Sequence, residues 1–84
     1  MEQELPITLP DDYVLIRLPE VLRMTGLSRT SVYRLIAAGD FPQPVPLTDS
    51  THQSAPIGFL LSEMKTWVRQ RLEARNSNTP PAIL

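Results

Sequence analysis

Apolar residues recur at helical spacing in three stretches of this chain, and serine, glycine and proline stand at the breaks between them. Leu18, Val21, Leu22 and Met24 form the first stripe, with Arg23 pointing elsewhere. Pro19 suits a first helical turn, where its missing N–H costs nothing, and Glu20 lies near the positive end of the helix dipole. The pattern predicts a short helix over residues 19–25 that Gly26 ends in a left-handed conformation. A second stripe, Val32, Leu35 and Ile36, predicts a helix over 29–38. Ser28 is placed to cap its free N–H groups, and Leu27, just ahead of the cap, is placed to pack on Val32 as a hydrophobic staple. Gly39 closes this helix, Phe41 returns to the core, and Pro42 forbids continuation. Two short helices joined by a glycine turn at a stapled angle read as a helix-turn-helix.

The remaining pattern is strand-like until the last helix. Residues 13–18, Tyr-Val-Leu-Ile-Arg-Leu, are rich in β-formers and predict a small edge strand leading into the first helix. Pro42, Pro44 and Pro46 hold 41–47 extended, with Val45 and Leu47 on one face. A polar stretch at 48–54 separates this run from a returning strand at 56–60, so the pair predicts a β-hairpin, or wing. Ser62 is a candidate cap for a last helix, in which Met64, Trp67, Val68 and Leu72 share a core-facing stripe and Lys65, Arg69 and Glu73 face water. The expected organisation is a flexible acidic leader at 1–12, one domain at 13–75 and a disordered tail at 76–84. Its fold class is mainly α with a small β-hairpin, a winged helix-turn-helix.

The second helix leaves Arg29, Thr30, Tyr33, Arg34 and Ala37 on the outside, a face suited to phosphates and base edges in a DNA major groove. Arg34 is the leading candidate for a base edge, and Thr30 is short enough to meet a thymine methyl. Tyr33 divides between core-edge packing and a phosphate hydrogen bond. The formal net charge of −1 seems to argue against a polyanionic partner, but it is unevenly distributed. Residues 1–16 carry four acidic and no basic side chains, whereas 17–75 carry all eight basic residues against five acidic ones. The folded part is therefore mildly basic, which suits modest phosphate attraction.

Length and composition narrow the function further. A chain of 84 residues forms one small domain that buries about 60–65% of its unfolded surface, with no room for a separate catalytic unit. It has no cysteine, hence neither disulfides nor thiolate zinc sites, in keeping with a reducing cytoplasm. No apolar run approaches the ~18 residues of a membrane span. His52 stands alone, without a second histidine or a cysteine, so a metal or catalytic role is not expected of it; a polar contact at the wing tip is. The expectation is a protein that is not an enzyme and takes no cofactor, membrane or small-molecule substrate.

The run RLPEVLRMTGLSRTSVYRLIAAGDFPQPVPL, followed after a loop by IGFLLSEMKTWVRQRL, resembles the AlpA family of phage and prophage regulators, small relatives of MerR-like and excisionase winged helix-turn-helix proteins. The resemblance covers residues 15–72 and implies a DNA-binding regulator of transcription or of excision of an integrated element. It places Ser28, Arg29, Thr30, Tyr33 and Arg34 on the recognition helix, and Gln43 and His52 join them as candidate DNA-binding residues of the chain's own on the wing side. Double-stranded DNA is the implied partner, with a second copy of the chain or a phage integrase as further ones. Two features depart from the family pattern. Gln43, Pro46 and the uncharged tip Thr51-His52-Gln53-Ser54 stand where the family carries basic residues, and Phe59 stands where it usually has Trp. The uncharged wing keeps a second reading open, a protein-interaction module that binds a recombinase, a polymerase subunit or itself.

Overall fold

Two left-handed glycines set the angle and length of the paired helices. In the computed structural model, which describes residues 9–77, helix α1 (Leu18–Thr25) ends at Gly26 with φ 73°, and helix α2 (Arg29–Ala38) ends at Gly39 with φ 79°. The Gly26 N–H donates to the Leu22 carbonyl at 2.8 Å. Behind it, Thr25 Oγ1 donates to the Val21 carbonyl and accepts from the Leu27 N–H, which stiffens the turn. Ser28 caps α2 as expected, its hydroxyl accepting from the Ser31 N–H at 3.1 Å. At the other end, Gly39 donates to Ile36 and Asp40 to Leu35, the paired bonds of a Schellman motif.

The sheet has three antiparallel strands in the order β1 (Leu15–Ile16), β3 (Ile57–Leu60), β2 (Val45–Pro46). Leu15 pairs with Leu60 and Ile16 with Phe59 on one side; Val45 pairs with Gly58 and Pro46 with Ile57 on the other. The Leu47 N–H donates to the Pro56 carbonyl, so the alternation of the ladder turns the Pro46 nitrogen toward the open edge, where a missing N–H leaves nothing unpaired. Gly58 lies in the middle of the sheet, where an added Cβ would stand 3.1 Å from Leu47 Cδ2. Helix α3 (Leu61–Ser77) follows β3 without a break.

One apolar cluster joins these elements. Leu18 and Val21 come from α1, Val32 from α2, Phe41 from the segment after it, Phe59 from β3 and Met64 from α3. Leu27, Leu35, Ile36 and Trp67 pack on its margin. The fold is thus the expected one, mainly helical with a hairpin wing beside a helix-turn-helix.

Five local expectations differ. The β-rich run at 13–18 forms only two strand residues, because Asp11–Tyr13 winds into a 3-10 turn and Leu18 already begins α1. That turn includes Asp11 and Asp12, expected in the leader, and Asp11 is tied to Lys65 of α3 by an exposed ion pair of 2.5 Å. Ser62 is not a helix cap, because it lies inside α3, which starts at Leu61; the Leu61 N–H donates to the Val14 carbonyl at 2.8 Å. Leu72 is 48% exposed rather than core, since the apolar cluster reaches no further along α3 than Trp67. Asn76 and Ser77, expected in the tail, are the last residues of α3, while residues 1–8 and 78–84 lie outside the described part.

Candidate nucleic-acid interface

Burying Val32 against the cluster decides which side of α2 remains available. Leu35 and Ile36 lean on the core beside it, and Arg29, Thr30, Tyr33, Arg34 and Ala37 are exposed. Tyr33 keeps 47% of its surface open. Between Glu20 and Asp40 the chain carries Arg23, Arg29 and Arg34 and no acidic residue. Arg23 is taken up by Glu20 on α1, at 2.5 Å. Arg29 and Arg34 have neither a hydrogen bond nor an ion pair among the described residues, so both guanidinium groups keep their full donor capacity for a partner.

Ser28 and Gln43 are placed differently. The Ser28 hydroxyl is exposed but already committed to capping, and it also donates to Ser31 Oγ at 3.1 Å. Gln43 is exposed as well, yet its amide nitrogen donates to the Ile36 carbonyl at 3.2 Å and the Phe41 carbonyl at 3.3 Å. It therefore ties the last turn of α2 to the segment that leads into the wing. His52 sits in the loop between β2 and β3, exposed, with its own N–H held by Ser50 Oγ and its carbonyl by the Ala55 N–H. The structure thus gathers Ser28, Arg29, Thr30, Tyr33 and Arg34 on one helix, and places Gln43 at the wing's base and His52 in its loop.

Aromatic packing fixes the wing's root. Phe41 meets Phe59 edge-on, with ring centroids 6.2 Å apart, and Trp67 at 4.8 Å. The Trp67 indole N–H donates to the Asp40 carbonyl at 2.9 Å, so α3 grips the chain just as it leaves α2. An open groove runs beside this contact, floored by Phe41, Pro42, Pro44 and Trp67 and edged by Gln70 and Arg71. Arg17 is exposed and lies on no apolar stripe. In the structure its Nε donates to the Ile57 carbonyl at 3.1 Å, a bond across 40 positions that no local pattern announces. Among the described residues no cluster of His, Cys, Asp and Glu could hold a metal ion, and no helix is long and apolar enough to cross a membrane.

Comparison with known proteins bears on the whole of this unit. ORF88 of Enterobacteria phage P4, an uncharacterized protein, is 37% identical to the chain over 60 residues, which make up 71% of this chain and 62% of the relative. Residues 14–72, from the start of the sheet to the middle of α3, match the family model described as prophage CP4-57 regulatory protein (AlpA). With two thirds of its length inside that match, including both helices of the turn and the whole wing, the chain belongs to the AlpA family of phage regulatory proteins.

Proposed function

We propose that the chain is a sequence-specific DNA-binding regulator of phage type, which acts on transcription, on excision of an integrated element, or on both. The observation that carries this reading is the outer face of α2, where Arg29 and Arg34 are exposed and unpaired among the described residues and no acidic side chain shares the helix. In a major groove Arg34 would take a base edge or an adjacent phosphate, Arg29 a phosphate near the start of the helix, and Thr30 a thymine methyl. The Ser28 and Tyr33 hydroxyls would meet the backbone beside them. The hairpin would lie alongside, with His52 and Gln43 nearest the neighbouring strand. The protein would work in the cytoplasm of a bacterial or phage-infected cell.

A single recognition helix reads few base pairs, so specific control would need repeated adjacent sites, a second copy, or another DNA-bound protein such as an integrase. Selection of bound fragments from random duplex DNA at controlled salt tests the reading directly. The expected result is a recovered motif whose binding constant falls with salt at a log–log slope of about −3, as three or four phosphate contacts require. Binding that ignores salt, or selection that returns no motif, overturns it. The open groove between Phe41 and Trp67 favours a second reading, a winged module that docks another protein. Retention of a protein partner by a chain that binds no DNA would establish that alternative.

A further inference from the structure

The wing loop, residues 47–56, contains no lysine or arginine and does contain Asp49. A hairpin of that composition has no cation of its own with which to hold a phosphate. The sheet register shows where one comes from. Extending the pairing of Leu15 with Leu60 and Ile16 with Phe59 sets Arg17 opposite Gly58 and Leu18 opposite Ile57. Leu18, however, already belongs to α1, so the first strand has left the sheet before it reaches Ile57. Because the Pro56 carbonyl is turned toward β2, where it accepts from Leu47, the next carbonyl along the strand, that of Ile57, is turned toward the vacated side. Arg17 Nε fills that place at 3.1 Å.

This one bond pins the guanidinium at the first residue of β3, where the wing loop rejoins the sheet. It uses one of the five donors of the group; the two terminal NH2 groups have no partner among the described residues, and the side chain is exposed. A planar fork already held by one N–H loses less freedom when it engages a phosphate than a free lysine would. We propose that Arg17 is the phosphate-binding cation of the wing, supplied from the β1–α1 junction to a hairpin that carries none. This assignment rests on the DNA-binding reading of α2 and adds to it a contact that holds the duplex without reading its sequence.

The test compares the full chain with Arg17→Gln and Arg17→Lys on two duplexes, the selected motif and a scrambled sequence, across a salt series, with a thermal melt of each variant. Arg17→Gln is expected to weaken both duplexes by the same several-fold factor and to lower the salt slope by about 1. Arg17→Lys, which keeps the charge but lacks Nε, is expected to retain the slope. An unchanged slope in Arg17→Gln overturns the assignment, as does a loss confined to the selected motif. So does a weakening that both variants share in step with a lowered melting midpoint, since that is the mark of a purely structural bond. A parent chain that binds neither duplex overturns the DNA reading itself, whereas a parent that binds with a slope its Gln variant reproduces overturns the role of Arg17 alone.

Discussion

Helix α2 and the wing are the two parts of this molecule on which the proposed binding rests, and they are built by opposite means. The bounds of α2 are set locally: the Ser28 cap and the Gly39 Schellman turn lie within 13 residues of sequence, and the burial of Val32 is what ties the helix to the rest of the core. The wing has two residues in β2 and four in β3, and its loop is held only by short bonds such as that of Ser50 with His52. What positions it comes from elsewhere: Arg17 from the β1–α1 junction, Gln43 from the end of α2, Trp67 from α3. A short helix stopped at both ends is defined by its own sequence, whereas a hairpin tied by distant side chains is set by the fold as a whole. Charge follows the same division, with unpaired arginines on the helix and none in the wing loop.

The largest effect that bears on this contrast is expected from Phe59→Ala. Phe59 is fully buried in β3, the returning strand of the wing, yet it packs in the same cluster as Val32 of α2 and meets Phe41 edge-on. Its truncation should cost about 3–5 kcal/mol, a large share of the stability of so small a domain. Helical circular dichroism and amide protection in the wing should be lost together in one transition. If the wing opened while α2 kept its helical signal, the two regions would be separate units, and the dependence of the wing on the whole core would be refuted.

Arg34→Ala comes next and sharpens the contrast on the binding side. Arg34 is exposed and unpartnered among the described residues, so its removal should leave the melting midpoint unchanged. Discrimination between the selected motif and a scrambled duplex should fall by about 1–3 kcal/mol if the side chain reads a base. Shift assays in which both duplexes keep their parent affinities would remove Arg34 from the proposed site.

The same division explains what was legible in the sequence. The boundaries of α2, the left-handed end of α1 and the outward set of Arg29, Thr30, Tyr33 and Arg34 follow from residues a few positions apart, where capping, glycine conformation and helical period act directly. The hairpin was legible too, since prolines and alternation mark extended chain whatever surrounds it. Other features turn on tertiary register. Whether the run at 13–18 makes six strand residues or two depends on where α1 begins and how far β3 extends, and Ser62 falls inside α3 because β3 runs straight into the helix at Leu61, whose N–H is held by the Val14 carbonyl 47 positions away. Leu72 has the right helical phase for the core, but phase says nothing of where the core ends. The bonds of Arg17 and Gln43 were invisible because exposed polar side chains give no periodic signal.

Ser28→Ala probes the local side of the comparison at smaller scale. The hydroxyl accepts the Ser31 N–H, and among the described residues it bonds to nothing beyond the first turn of α2. Its loss should lower stability by about 1 kcal/mol, a shift of about 4–8 °C in melting midpoint for a domain this size. Amide exchange should quicken at Arg29, Thr30 and Ser31 while the wing keeps its protection. An unchanged midpoint would place the start of the helix elsewhere.

Gln43→Ala is the smallest expected effect and separates two roles that the sequence alone left joined. From the sequence Gln43 is a candidate DNA contact, whereas the structure commits its amide nitrogen to the Ile36 and Phe41 carbonyls. Removing one exposed and one part-buried hydrogen bond, the exposed one to a carbonyl that Gly39 already partners, should cost about 0.5–1 kcal/mol of stability. If the residue acts by tying the wing to α2, affinity should fall equally for selected and scrambled duplexes, the salt slope should not move, and wing amides should exchange faster. Contact with a base would instead give a loss confined to the selected motif, with exchange in the wing untouched. Because the Gln43 carbonyl oxygen takes no part in the tie, Gln43→Glu offers a further distinction: it keeps the length of the side chain but loses the donor, so it should match Gln43→Ala in wing exchange. Its added negative charge should weaken binding further only if a phosphate lies close by.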